Sequence, residues 1–591
     1  MSTSQPSNSM QAAPEAEPAP LPEAVFTSNK PSHSRRHTLL IWLCAVFAAL
    51  LFGGGFVLYS LWHSSYTPTE NSFFTSSFVS GRNVLVIVPH EDDEVNLAYG
   101  VIDSFVKAGS RVTIAFETNG DARFAPEIRN REAVQADALM GVTSQNLVFL
   151  GYPDHVCNPA FYAGDPQKVR TGDAGHTQTY AVGGFQDFHT QHFGKPADNT
   201  RANLEGDLRQ LISGLRPDII FVNDTDEHID HASLSQVFDR TMGKILHEHK
   251  GYKPIVYKGY AYDYAWHGNN DFYQLPLKSA APSWSPASYN TCYCWEDRVR
   301  FPMPGEYLSY TLRGSKLHAL LKTYASQNGL AKQCNLQNGD KIFWQRRTDV
   351  LYGKVRTSSG DASLLNDFVL AGYSDQPLAC CWFPDQTDSK PSIQISWDTP
   401  QDIDDLVFYD APPPAGDVLA VTVSADHESA QAYCLPDGRG KPCRLHVGRK
   451  GIRNLTIQLT SMSGSVAGFS EIEVLPAQEA STQWIALKDT QDDFCYELPC
   501  AAQQPLTLPL YGYPSVPENA TATLSQGNRT LPAPTYDGTA FHVQPLPAGR
   551  YRLQVRGGGC TAETVLRVGD QMLWERGLQC VERTLGKYLP N

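Results

Sequence analysis

The sequence predicts an α/β fold, with a mostly parallel sheet covered by helices, followed by two all-β sandwich domains and preceded by one apolar helix. Three observations carry this. From about 82 to 260, short apolar runs alternate with helical stretches, the pattern of βαβ units. Beyond about 345 the helical period disappears and strand-like runs are separated by Pro, Gly and Asp turns. Near the start, "LLIWLCAVFAALLFGGGFVLYSLW" (Leu39 to Trp62) carries no charge.

The N-terminal part reads in three pieces. Residues 1–37 are rich in Pro, Ala, Ser and Glu and are expected to be a disordered tail. The apolar stretch spans roughly 36 Å as a helix, enough to cross a bilayer. It runs on through "GGGFVLYS", so an uncleaved transmembrane signal-anchor helix at 38–63 is favoured over a cleaved signal peptide or a buried soluble helix. Lys30, Arg35, Arg36 and His37 precede it, and no Lys or Arg falls in the 64–81 linker. The tail is therefore expected in the cytoplasm and the rest outside.

A balance of 48 basic to 62 acidic residues, net charge −14, argues against a nucleic-acid binder, which needs clustered Lys and Arg. Of the cysteines, Cys44 lies in the apolar stretch. Those beyond it, with pairs such as Cys434/Cys443, Cys495/Cys500 and Cys560/Cys580, suit disulfides in an oxidising compartment.

In the α/β part, "NVLVIV" (83–88) is a strand, followed by a helix through "NLAYGVIDSFVKAG". "RVTIAFE" (111–117) is the second strand, closed by "TNGD". A helix through "EIRNREAVQADALMGV" leads to strand "NLVFL" (146–150). After a loop-rich insertion, "ANLEGDLRQLISGL" is an amphipathic helix and "DIIFV" (218–222) a buried strand. Ligands of such sheets sit at the carboxyl ends of the strands. His90 to Glu94, Thr118 to Asp121 and "NDTDEHIDH" (223–231) follow three strands and should converge on one rim.

Those clusters hold the chemistry. His90 and Asp93 are three apart at a strand-to-helix turn, and His228 and His231 are also three apart. An imidazole pair plus a carboxylate makes a zinc shell with a position left open for water. A divalent cation would offset repulsion among Asp92, Asp93 and Glu94. The competing reading is a surface acidic turn and an unrelated histidine cluster.

"PHEDDE" (89–94), "TNGD" (118–121), "RNRE" (129–132), "MGV" (140–142), "FLGYPD" (149–154) and "DEHIDH" (226–231) together resemble the PIG-L/LmbE-like zinc-dependent N-acetyl-sugar deacetylases. The resemblance covers about 82–260 and implies a Rossmann-like sheet within a deacetylase domain at 82–345. It implies Zn2+ held by His90, Asp93 and His231, with Asp92 as general base. His228 would be the general acid or the stabiliser of the oxyanion. Asp230 would orient a histidine. Arg129 matches the family's substrate-facing arginine, with Arg131 a nearby competitor, and Asn119 and Asp121 would shape the rim. Some members have a tyrosine two before the first histidine of the last motif; here that position is Asp226, so no tyrosine donor is assigned. The insertion 157–194 is open between a substrate rim and a surface loop, and "KGYAYDYAWHGNNDFY" (258–273) between sugar stacking and core.

Residues 346–476, through "VRTSSGDASLLNDFVLAGYSD", "QISWDTPQDIDDLVFYD" and "AGFSEIEV", resemble discoidin-like galactose-binding-fold modules. Residues 477–591 resemble an immunoglobulin-like sandwich. These resemblances imply a membrane-anchored deacetylase acting on an N-acetylhexosamine of an extracytoplasmic glycan or glycolipid. Two rivals stand beside it: a catalytically idle glycan-binding scaffold, and an inward-facing enzyme acting on a phosphatidylinositol-linked sugar.

Overall fold

The structure is a computed structural model that describes residues 33–63, 76–122, 125–155, 164–226, 228–262, 266–267, 281–282, 293, 298–308, 316–329, 340–371, 377–436, 442–464, 466–478, 482–487, 497–513 and 515–569. It divides into two compact units, Met1–Ser60 and Leu61–Asn591. The first is built on helix α1 (His33–His63). Its window His37–Phe56 has a mean hydropathy of 2.3, long and apolar enough to cross a membrane.

The second unit is organised around a seven-stranded sheet. Its parallel part comprises β1 (Asn83–Val88), β2 (Arg111–Thr118), β3 (Leu147–Tyr152), β4 (Ile219–Asn223) and β5 (Ile255–Gly259). The strands lie in the order β3-β2-β1-β4-β5. Two further strands, β6 (Arg298–Pro302) and β7 (Asp340–Arg346), extend it antiparallel, with Val256 opposite Arg346. The expected strands form within one or two residues of their predicted bounds. The antiparallel pair has no counterpart in the sequence reading, because its two members lie some 40 residues apart and pair only through tertiary contacts.

The strand order reverses at β1, which pairs with β2 on one side and β4 on the other. Such a switch point opens a crevice at the carboxyl ends. Alternation along β1 explains its uninterrupted apolar run: both faces are covered. Val84, Val86 and Val88 pack with Leu97, Ile102 and Phe105 of α2 (Asp93–Lys107). Leu85 and Ile87 pack with Leu204, Leu208 and Leu211 of α4 (Arg201–Leu215) and Leu234, Val237 and Phe238 of α5 (Ile229–Glu248). A further helix, α3 (Pro126–Leu139), buries Ala133 and Ala136 on the first face.

The first all-β region is one antiparallel sheet around a single core. Its strands are β8 (Lys354–Thr357), β9 (Ser392–Asp410), β10 (Val418–Ala425), β11 (Gln431–Cys434), β12 (Pro442–Met462) and β13 (Phe469–Leu475). The long strands β9 and β12 shift register between Ser396 and Asp405, and such bulges bend strands so that one sheet covers both sides of a core. That core holds Trp382, Ile393, Phe408, Leu455 and Phe469. The second all-β region has a four-stranded and a five-stranded sheet, running from Trp484–Leu487 to Cys560–Val568.

The pairing that the close spacing of Cys434 and Cys443 suggested is not formed: Cys434 is a free, exposed thiol. In register Cys434 is aligned through Ala420 with Ser461, far along β12 from Cys443, which lies opposite Phe408. Cys495 and Cys580 lie outside the described residues.

Neither all-β region stands apart. One continuous apolar cluster joins Val84, Leu97 and Phe221 to Ile485, Leu508 and Leu553, and Phe368 enters the α4/α5 face. At the centre, the Phe221 ring lies 5.2 Å from Tyr257, 5.6 Å from Phe301 and 5.0 Å from Phe343, tying β4 to the antiparallel extension. Phe221→Ala should cost about 3–5 kcal/mol, measured as a fall in the denaturant midpoint; a loss below about 1 kcal/mol would contradict this keystone role.

Candidate active site

Two loops meet at the switch point. After β1, the chain turns through His90, whose carbonyl accepts from the Asp92 and Asp93 amides at 3.1 and 3.3 Å, and enters α2 at Asp93. After β4, Asp226 accepts from the His228 amide at 2.9 Å, and α5 begins at Ile229 with Asp230 and His231 in its first turn. The 3-residue spacings thus put the side chains of both motifs into one crevice.

Asp93 Oδ2 lies 3.0 Å from His90 Nδ1 and 3.1 Å from His231 Nε2. One ring nitrogen each of His90, His228 and His231 fall within 4.8 Å of one another. Each of the two outer histidines is held from behind by a carboxylate: His90 Nε2 is 2.9 Å from Asp230 Oδ2, and His231 Nδ1 is 2.7 Å from Asp226 Oδ2. With a proton on those rear nitrogens, the front nitrogens present lone pairs beside Asp93. Buried and without a hydrogen-bond partner among the described residues are His231 Nε2, Asp93 Oδ1 and His228 Nδ1. Open donor atoms of an imidazole and a carboxylate, with a second ring nitrogen beside them, fit a zinc ion, whose tetrahedral ligand atoms lie about 3.3 Å apart. The contacts of Asp93 with His90 and His231 bring the three expected metal residues together, and His228 Nδ1 stands open beside them.

Electrostatics point the same way. Burial pushes Asp93 upward, but the close His231 charge and the hydrogen bond with His90 hold it well below the usual carboxylate range. Burial works to lower His231, yet Asp226 and Asp93 bring it up to about 10. Burial and the neighbouring His231 and His90 push His228 down to about 2. The crevice gathers Glu91, Asp92, Asp93, Asp226 and Asp230, all buried, with the Arg129 guanidinium against Glu91 and Asp92. Burial, with the Asp154 charge adding to it, lifts Glu91 to about 8 against the pull of Arg129. A doubly charged cation relieves such a surplus.

Asp92 Oδ1 accepts from Arg129 Nη2 at 3.2 Å, and burial and Asp93 raise its pKa. Arg129 is itself buried, with Nε 3.5 Å from Glu91 Oε2, so the structure sets it behind Asp92. Arg131, the competitor, is exposed. The glycine of "TNGD" is what lets Arg129 lie there. Gly120 has φ +62, and a Cβ on it would meet the guanidinium at 2.7 Å. Asn119 donates to the Tyr180 and Gly151 carbonyls at 3.0 and 3.3 Å. Asp121 accepts from the Tyr180 hydroxyl at 2.6 Å and the Asp154 amide at 2.9 Å. Both thus brace the rim, and Tyr180 brings the described part of the insertion into that wall.

Three residues of the site, Asp226, His155 and Tyr262, were assigned no role from the sequence. Asp226 orients His231, as above. His155, directly after "FLGYPD", flanks the other oxygen of Asp230, with Nδ1 at 3.0 Å. Tyr262 lies three residues beyond β5 and stacks on His231, with ring centroids 5.0 Å apart at 22°. The signal for it was the aromatic run at 258–273. The part of that run beyond Tyr262 lies largely outside the described residues.

Comparison with known proteins follows this geometry. Residues 85–242 match the family described as PIG-L, GlcNAc-PI de-N-acetylase, and residues 353–475 match a domain of unknown function, DUF7402. No curated protein matches the chain. Among solved structures, the zinc inhibited form of teicoplanin deacetylase Orf2 is similar at 16% identity over 45% of this chain and 98% of that one, TM-score 0.25. The CBM32-4 module of CpGH89 from Clostridium perfringens, in complex with GlcNAc-α-1,4-galactose, is similar at 16% identity over 21% and 88%, TM-score 0.16. Chitosan-binding module 1 of a chitosanase/glucanase from Paenibacillus sp. IK-5 is similar at 13% identity over 21% and 96%, TM-score 0.17. Residues 85–242 are thus a PIG-L domain, and the activity this family supports is that of a deacetylase.

Proposed function

We propose that this chain is a membrane-anchored, zinc-dependent deacetylase. It removes the acetyl group from an N-acetylhexosamine of an extracytoplasmic glycan or glycolipid, releasing acetate and a free amine. The observation that carries the reading is Asp93 Oδ2 set 3.0 and 3.1 Å from two imidazole nitrogens, with Asp92 beside it. His90, Asp93 and His231 would hold the zinc. When bound, zinc supplies Lewis acidity, polarising an amide carbonyl and lowering the pKa of water towards about 7.

Asp92 is the general base. Its raised pKa makes it a better proton acceptor than an ordinary carboxylate, and the Arg129 contact fixes its direction. It takes the proton of the attacking water and returns it to the departing amine. His228 is kept neutral by burial and its neighbours. Of the two roles open to it, donor to the developing oxyanion fits best, a contact worth about 3 kcal/mol. Tyr262, stacked on His231, restrains that ring. The anchor reading rests on the apolar part of α1 and on the basic residues before that part.

Asp92→Asn in the full-length, detergent-solubilised chain should lower kcat for acetate release from N-acetylglucosamine oligomers by about 10²–10⁴-fold, with zinc content retained; undiminished turnover would remove the base assignment. Zinc affinity should depend on pH in a defined direction. The metal-free chain keeps a proton on His231 up to about 10, and zinc must displace it. His90 is likewise raised, its bonds to Asp230 and Asp93 outweighing burial, so affinity rises about tenfold or more per unit between pH 6 and 9, as chelator competition would read; a flat profile contradicts the ligand set. Protease added outside intact cells should digest the catalytic part, whereas protection would place it in the cytoplasm.

A further inference from the structure

Lysine is rare inside a parallel strand, yet Lys258 of β5 is wholly buried. Its Nζ donates to Ser235 Oγ and Asp239 Oδ1, both at 2.8 Å, and stands 3.4 Å from Asp224 Oδ1. Ser235 and Asp239 are on α5, one and two turns beyond His231. Asp224 accepts from Ser235 Oγ at 2.7 Å and from the Thr225 amide at 2.8 Å. Lys258 therefore staples the loop that carries Asp226 to the helix that carries His231.

The staple continues out of the α/β part. Asp239 Oδ2 is 3.8 Å from Arg346 Nη1, at the end of β7, and Arg346 Nη2 is 3.7 Å from Glu473 Oε1 on β13 of the first all-β region. Arg346 also donates to the Phe368 carbonyl at 3.0 Å and lies 4.0 Å over the Phe368 ring. Tyr409 of β9 donates to Glu473 Oε2 at 3.2 Å. All of these side chains are buried. Independently, the same loop is pressed against the helix: a Cβ on Gly243 of α5 would meet the Asp367 carbonyl at 2.1 Å and Phe368 Cβ at 3.2 Å. One helix thus has the site at its first turn and the all-β region seated on its backbone further along.

We propose that the first all-β region is a working part of the catalytic unit, with Arg346 as a positioning residue that holds the 224–226 loop and the His231 ring in place through Asp239 and Lys258. This rests on the reading of His231 as a metal ligand. Buried charges make the chain of contacts cooperative, because removing one partner leaves the next uncompensated in a medium that does not tolerate it. The effect reaches the site through Asp226, the carboxylate that orients a ligating ring.

The test uses the full-length chain in detergent with Glu473→Gln, Arg346→Met and Arg346→Lys. Three readouts are taken: the dissociation constant for zinc alone by chelator competition, kcat and KM for acetate release, and hydrogen exchange of the amides of 224–232. Glu473→Gln should weaken zinc about tenfold, lower kcat with KM little changed, and speed exchange at 224–232. Arg346→Met should do so more strongly, and Arg346→Lys should recover part of the loss. Variants that lower the melting temperature yet keep zinc affinity, kcat and exchange at wild-type values would overturn the proposal. Should Arg346→Met not fold, Glu473→Gln decides alone. Failure of the deacetylase reading looks different: the wild-type chain releases no acetate, and exchange at 224–232 still decides the coupling.

Discussion

A single carboxylate oxygen wedged between two imidazole nitrogens is the constraint from which the rest of this structure follows. Asp93 belongs to the turn after β1 and His231 to the helix after β4, so their approach to 3.1 Å requires β1 and β4 to be neighbours. The parallel register of Val84 with Ile219 supplies that. Everything that fixes the sheet, from the two-sided burial of β1 to the aromatic cluster around Phe221, therefore also fixes the donor set.

Around that point each polar group that would act has a fixed partner behind it. Asp230 stands behind His90, Asp226 behind His231, and Arg129 behind Asp92. The arrangement concentrates negative charge in a buried crevice, which is unfavourable for an empty pocket and favourable for one that receives a dication. The same carboxylates set the histidines apart. His231, facing Asp226 and Asp93, is pulled up against burial, while His228, buried and facing two imidazoles, is pushed down. Two rings three residues apart in one motif thereby acquire opposite proton affinities.

Much of this was legible in the sequence where the signal is local. Strand periodicity located β1 to β4, and placing "PHEDDE" and "DEHIDH" after strands was enough to bring His90, Asp93 and His231 together. What was not legible depends on contacts between distant segments. Arg129 reads as substrate-facing in its motif, but the absence of a side chain at Gly120 lets its guanidinium fold back onto Asp92. Asn119 and Asp121 are taken up by the 151–154 loop and by Tyr180, a residue of an insertion that local pattern could not place. Apolar clusters run across the boundaries drawn at 345 and 476, because side chains from either side complete the same cores. The pairing suggested by close spacing failed at Cys434 because strand register, invisible in spacing, aligns it with Ser461 and places Cys443 far along the same strand.

The antiparallel extension of the sheet has one more consequence. Strand β7 hydrogen-bonds along the outer side of β5, and β6 along β7, so the last parallel strand is not a border of the sheet. A fragment ending where the sequence resemblance ends, near residue 260, would leave a row of unpaired amides and carbonyls there, open to docking with other chains. The smallest soluble piece of this protein is thus set by backbone pairing and extends well past the last residue of the crevice.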